Sequence, residues 1–236
     1  MSLSATPVQS CTGSTGNVTA GSYTATFGAT PTQGNFILAA TQMSTSSGAG
    51  GKITATNITF YQIANWGTNA TQAASSILWL GLVGASAGSV ITVSIIGSVN
   101  QAMVGVFAEF TGINVRPDLA GDANTGNSAS ASVTISAGNV ANALLVAALS
   151  NRGAYATTGQ TVFSSPTNSF SIIGQDNTNI NTANSDRSVA MLVRLVSSTS
   201  SVSAGASLTS AQWSATGARL IERPTAANIS GVFGIF

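Results

Sequence analysis

Apolar and polar residues alternate along most of this chain, and the i, i+3, i+4 spacing of an amphipathic helix is almost absent. Ser22 to Phe27 reads Ser-Tyr-Thr-Ala-Thr-Phe between Gly21 and Gly28, the pattern of a strand with one buried face. The same period recurs in Asn35 to Ser44 and Ser128 to Ile135, and Ile53 to Trp66 places Ile58, Phe60 and Tyr61 in a Thr-rich run typical of a sheet. Ile77 to Gly84 and Val90 to Gly97 are denser apolar runs, and Ala85-Ser86-Ala87-Gly88-Ser89 between them reads as a hairpin loop. Ala102 to Ile113, Ala143 to Ser150, Phe170 to Gly174, Ser188 to Val196 and Ala211 to Ile221 complete the set.

About eleven or twelve strands at intervals of roughly 10 to 20 residues predict an all-β fold. The expected form is a single jelly-roll-like β-sandwich, with a closed barrel as the alternative. Residues 69–76 and 137–141 leave room for a short helical turn each. The sandwich is expected over 17–224, preceded by a small, polar arm at 1–16. An apolar tail at 225–236 follows Arg223-Pro224.

Composition narrows the function. The 236 residues include 7 basic and 6 acidic side chains and no histidine, so 6% are charged, where about a quarter is usual. Seven scattered cations build no face for nucleic acid. Metal sites and nucleophilic triads that need histidine are excluded. The chain is nevertheless 44% hydrophobic, which separates it from disordered sequences. Its polarity resides in Ser, Thr and Asn, and a neutral, hydroxyl-rich surface sets up little repulsion between copies. Self-association is therefore expected. Cys11 is the single cysteine, so no internal disulfide forms. No basic, apolar leader marks export and no window has the length of a membrane helix, so no membrane partner is expected.

Ala102-Met103-Val104-Gly105-Val106-Phe107-Ala108-Glu109-Phe110-Thr111-Gly112-Ile113 carries an aliphatic run into Glu-aromatic-Thr-Gly-aliphatic. An Asp118-containing loop, the Ser-rich strand at 128–136 and the apolar Ala143 to Ala147 strand follow. This order resembles virion-associated β-sandwich proteins of bacteriophages, of concanavalin or jelly-roll type. The specific motif spans about a dozen residues, and the outline spans residues 20–222. The resemblance implies a sandwich fold and a place in a virus particle.

Few residues offer chemistry. Glu109 interrupts an apolar strand; alternation places it with Phe107 and opposite Val106, Ala108 and Phe110. A structural ion pair with Arg152, Arg194 or Arg219 is its expected role. A catalytic carboxyl is the sharper alternative. Asp118, Asp122 and Asn124 share part of the spacing of a calcium loop but lack its closing glutamate, and turn chemistry accounts for the same letters. No metal or other cofactor is expected. Trp66, Trp79 and Trp213 would serve either as core or as platforms for a sugar. In the tail, Ile229, Val232, Phe233, Ile235 and Phe236 form an apolar end that is expected to dock on its own domain or on a neighbour.

These readings converge on a non-enzymatic structural protein of a virion, most simply a bacteriophage capsid decoration or cement protein. It would be made in the host cytoplasm and would contact copies of itself and the major capsid protein. A carbohydrate-binding tail or baseplate adhesin is the alternative. A glycan hydrolase using two of the six carboxylates comes third.

Overall fold

The computed structural model describes residues 3–43, 51–64, 75–95, 101–112, 115–118, 121–153, 155–180 and 186–222. Those residues form fourteen strands and no helix. In chain order they are β1 (Gln9–Ser14), β2 (Ser22–Thr26), β3 (Phe36–Met43), β4 (Gly51–Ala55), β5 (Ile58–Ala64), β6 (Ser75–Val83) and β7 (Val90–Ile95). There follow β8 (Met103–Phe110), β9 (Val115–Pro117), β10 (Asp122–Ile135), β11 (Ala143–Gly153), β12 (Ser171–Asn177), β13 (Asp186–Val196) and β14 (Val202–Glu222).

All pairings are antiparallel. The first sheet runs β1-β8-β3-β6-β5-β4-β7-β2 and curls into a nearly closed eight-stranded barrel. Its two edge strands approach at the seam, where a Cβ on Gly13 would lie 2.8 Å from the carbonyl oxygen of Thr24. Only a glycine lets β1 come that close to β2. The second sheet, β10-β14-β11-β13-β12 with β9 paired to the end of β14, curls into a half-barrel.

Alternation along the shared strands produces three apolar layers. Phe107, Ile37, Ala39, Met103 and Trp79 fill the barrel. Their neighbours Phe36, Leu38, Ala40, Val106, Ala108 and Phe110 point the other way, against Leu144, Val146, Ala148, Val189, Met191 and Leu220 of the half-barrel. Phe36 and Phe110, directly paired in register, stack with ring centres 5.6 Å apart in this middle layer. Leu145, Ala147, Leu149, Ala190 and Leu192 form the third layer with Phe163, Phe170 and Trp213. Strands β3 and β8 are consequently buried at every residue. Each large aliphatic or aromatic side chain so enclosed contributes roughly 1.5–3 kcal/mol.

The outer wall of the barrel is different in kind. Ser22, Thr24, Thr26, Lys52 and Thr54 face solvent there. The hydroxyl-rich alternation seen in the sequence is this wall.

Several local expectations change. The loop after Ile77 to Gly84 does not close a hairpin: β6 lies between β3 and β5, and β7 lies between β4 and β2. The connection instead crosses the β4–β5 turn and is pinned to it by Gly84 N–H to Asn57 O, Gly88 N–H to Thr56 O and Asn57 Nδ2 to Ser86 O. The described part of the run read from Ile53 to Trp66, which ends at Ala64, is two strands around that turn. The stretch read as an N-terminal arm contains β1, whose six residues pair with β8. Asp122 and Asn124, read as turn or calcium-loop residues, stand in strand, since Asp122 to Asn127 pair with Gly217 to Gln212. The turn of helix expected at 137–141 is a series of bends, and most of the one at 69–76 lies outside the described residues.

Candidate functional site

The middle layer is not fully covered. Where β5 and β6 meet β9 there is a groove of about 360 Å³ lined mainly by Tyr61, Ile63, Leu80, Leu82, Val115 and Pro117, with Gln62 and Arg116 at its polar positions. Tyr61 is 53% exposed and Leu82 39%, which makes them two of the few large apolar side chains on the described surface. On the far side of β14 lies a second cleft of about 530 Å³, where Leu3, Asn142, exposed Leu195 and Glu222 meet. Glu222 pairs with Val115 in the β9–β14 ladder. Both openings thus flank the point at which the described chain ends, and the apolar segment 225–236 begins three residues further on. That segment, with Ile229, Val232, Phe233, Ile235 and Phe236, lies outside the described residues.

Glu109 points into the mouth of the barrel beside Phe107, as alternation requires, and is fully buried. The expected arginine is absent. Its carboxylate accepts hydrogen bonds from Gln9 Nε2 (2.6 Å), Thr32 N–H (2.7 Å) and Asn35 Nδ2 (2.6 Å). Arg219 and Arg194 are committed elsewhere. The first donates to the carbonyls of Ser198 and Ser200, the second to that of Asn168. Arg152 sits on the second sheet, opposite Arg187. Glu109 is a cross-tie: it joins β1, β8 and the loop before β3, and Gln9 extends the tie to both backbone groups of Ala29.

The calcium candidates serve the local backbone. Asp118 accepts from Asn139 N–H (2.7 Å), and Asp122 takes Ser136 N–H and Oγ at 2.7 Å each. Asn124 donates to Ser132 O and accepts from Thr125 N–H. Asp122 and Asn124 stand in a strand, so no loop wraps them. Among the described residues no three His, Cys, Asp or Glu side chains gather as metal ligands.

Two tryptophans are core. Trp79 fills the barrel and donates to Thr41 Oγ1 (3.0 Å); Trp213 lies across Gly126 in the third layer and donates to Ser128 Oγ (3.0 Å). A Cβ on Gly126 would sit 2.4 Å from Trp213 Cζ2. Trp66 lies outside the described residues. The sugar reading thereby loses two of its three platforms. Hydrolysis needs two carboxyls facing one cleft, and of the six in the chain Glu222 alone lines either opening described above.

The sequence reading passed over a buried polar region around β11–β13. Asp186 accepts from Tyr155 N–H (2.6 Å), Thr178 Oγ1 (3.1 Å) and Ile180 N–H (2.5 Å). Asn151 Oδ1 accepts from both Tyr155 OH and Ser188 Oγ. Burial raises the Tyr155 phenol, with the Asp186 charge adding to the rise against its hydrogen bonds with Ser188 and Asn151. Burial, and then the charge of Arg152, lower Arg187 to about 10. Cys11, packed against the barrel core, is pushed up to about 12 by burial, so its thiol is unreactive at neutral pH.

Asp176 is 5% exposed, and burial raises its carboxyl against hydrogen bonds from Asn177 N–H, Thr12 and Gly159 N–H. A carboxyl that binds its proton more tightly when folded loses stability as pH climbs from the unfolded value, about 3.9, through the raised one. Asp176→Asn keeps the acceptor oxygen and removes the charge. Its Tm should exceed that of the wild type at about pH 7, with the difference closing below about pH 3.9. Thermal melts across that range check it; an equal or lower Tm at neutral pH refutes it.

Set against known protein families, curated proteins and solved structures, the chain matches none.

Proposed function

We propose that this chain is a structural virion protein, a bacteriophage capsid decoration or cement protein. It would be held in place when segment 225–236 of one subunit enters the Tyr61–Leu82–Val115 groove of the next. The observation that supports this reading is the placement of an exposed, mainly apolar groove beside Glu222, the last described residue before the apolar sequence 225–236. Residues 223–236 span at most about 46–50 Å when extended, enough to reach a neighbour's groove. Exchange of an identical element between copies is a low-cost route to association. The near-neutral, hydroxyl-rich outer wall fits close packing of copies or of a shell of major capsid protein. In this reading the two packed sheets are an elaborated jelly-roll-like sandwich of the virion type, as the resemblance at residues 102–113 implies. Assembly of this kind calls for no cofactor and no catalysis.

Removal of 225–236 should leave a folded β protein that elutes as a monomer at concentrations where the full chain is oligomeric. Leu82→Asp, at an exposed position in the groove, should do the same. Unchanged oligomers in either variant, measured by light scattering with circular dichroism as the control for folding, would sink the reading. Unfolding of the truncated chain would assign the segment to its own subunit. Co-sedimentation of the full chain with capsid shells tests the virion itself.

A further inference from the structure

The barrel has a second opening besides the β1–β2 seam. Strands β4 and β5 meet at the Thr56–Asn57 turn, where Ala55 pairs with Ile58, and among the described residues that is the single rung between them. Beyond it β4 stays with β7, from Ala55 opposite Ile91 to Gly51 opposite Ile95, while β5 stays with β6. The two strands part like the arms of a V. Which backbone groups line the gap follows from the ladder. Val83 N–H donates to Asn35 O, so Val83 turns toward β3, and Leu82 and Leu80 turn toward β5. Their partners Thr59 and Tyr61 turn toward β6 in return. Phe60 and Gln62 alternate with these and present their N–H and C=O to the gap. Ile53 and Gly51 do the same from β4, because Ala55 is turned toward β5 by its pairing with Ile58. Among the described residues no strand runs between the two walls.

A row of unpaired backbone groups is a template for another strand. The faces of the gap set what that strand must carry. Ile53, Ile58 and Phe60 pack on the barrel core, whereas Thr54, Thr59 and Tyr61 are exposed on the outside. An entering strand therefore needs apolar residues at alternate positions, with polar or small ones between. Tyr61 and Gln62 also line the groove of about 360 Å³, which makes the edge continuous with it. Glu222, where the described chain ends, pairs with Val115 of the same groove. Segment 225–236 has the pattern required. Ile229, Gly231, Phe233 and Ile235 fall on one face and Asn228 and Ser230 on the other, with no charge and no proline. We propose that the gap between β4 and β5 is a strand-acceptor site, and that segment 225–236 of a second copy enters it as an added strand. This rests on the exchange of that segment proposed above. It assigns the affinity to main-chain hydrogen bonds with Phe60 and Gln62 as well as to apolar contact in the groove.

Gln62 separates the two contributions. Its N–H is not used by the β6 ladder, so Gln62→Pro removes a gap-facing donor at an edge position, where a strand tolerates proline. Gln62→Ala removes the side chain and keeps the N–H. Self-association of the full chain, measured by light scattering, should weaken at least about tenfold in Gln62→Pro and stay within about twofold of wild type in Gln62→Ala. Amide exchange followed by NMR reads the same pairing with no substitution. The Phe60 and Gln62 amides should exchange at least about tenfold more slowly in the full-length oligomer than in the chain lacking 225–236. Those of Thr59 and Tyr61, directed at β6, should be alike in both. A truncated chain that still oligomerises defeats the exchange of the segment and this site with it. If truncation dissociates the oligomer while Gln62→Pro assembles like wild type, or while the Phe60 and Gln62 amides gain no protection, the exchange stands and the added strand is overturned. Should Gln62→Pro fail to fold by circular dichroism, the amide comparison decides alone. Protection that persists in the full chain diluted to monomer would place the strand in its own subunit and overturn its origin in a second copy.

Discussion

Replacing Glu109 with alanine should lower the stability of this protein by about 3–5 kcal/mol and its melting point by roughly 10 °C. The cost does not come from a lost ion pair. Gln9 Nε2, the Thr32 N–H and Asn35 Nδ2 all end on this one carboxylate, within 2.7 Å, at the buried mouth of the barrel. Alanine takes the acceptor from Thr32 N–H and Asn35 Nδ2 and leaves Gln9 Nε2 with Ala29 O alone, and each donor so stranded in a buried setting costs roughly 1–3 kcal/mol before relaxation. Glu109→Gln keeps one acceptor oxygen but turns an amide NH₂ toward a donor, so its loss should be intermediate. A double-mutant cycle distinguishes the tie from a salt bridge. Glu109 should couple to Asn35 by about 1 kcal/mol or more, and to Arg219, which holds the 198–200 loop, by less than about 0.5. A Glu109→Ala variant within about 1 kcal/mol of wild type in urea unfolding would refute the account.

Period-two alternation revealed which way Glu109 points, because the face of a strand residue follows from its neighbours alone. It did not reveal the partner. Thr32 and Asn35 are brought to Glu109 by the β3–β8 pairing and Gln9 by the β1–β8 pairing, and neither register is written in local sequence. The misread hairpin between β6 and β7 has the same origin: a short glycine-containing loop signals a turn, while which strands flank it is decided by the whole sheet. The buried polar residues Gln42, Ser76, Ser150 and Thr216 were hidden for a further reason. They stand among the Ser and Thr that elsewhere cover the solvent wall, so composition cannot tell a buried hydroxyl from an exposed one. Asp122 and Asn124 looked like loop residues because Gly, Asn and Ser are weak strand formers. Thirteen-residue pairing with β14 overrides that preference.

The continuous apolar runs were legible as strands, and their meaning emerges from the layering. Ala143 to Leu149 alternates nothing because both of its faces are interior. In a simple two-sheet sandwich, Val146 would face the core and Ala147 would face solvent, and a charge would be tolerated at the second position. Here Val146 lies in the layer between the sheets, while Ala147 lies in the half-barrel with Leu145, Leu149, Phe163 and Leu192. Both are fully buried. Val146→Asp and Ala147→Asp should therefore be equally damaging. Each places an unpaired carboxylate in an apolar interior at a cost above about 4 kcal/mol, comparable to the whole stability of many domains. Both proteins should be recovered unfolded or insoluble. Ser130→Asp, on the exposed face of β10, should stay within about 0.5 kcal/mol of wild type. Circular dichroism and urea titration of the three variants decide the matter. A folded Ala147→Asp beside an unfolded Val146→Asp would remove the third layer and return the fold to a plain sandwich.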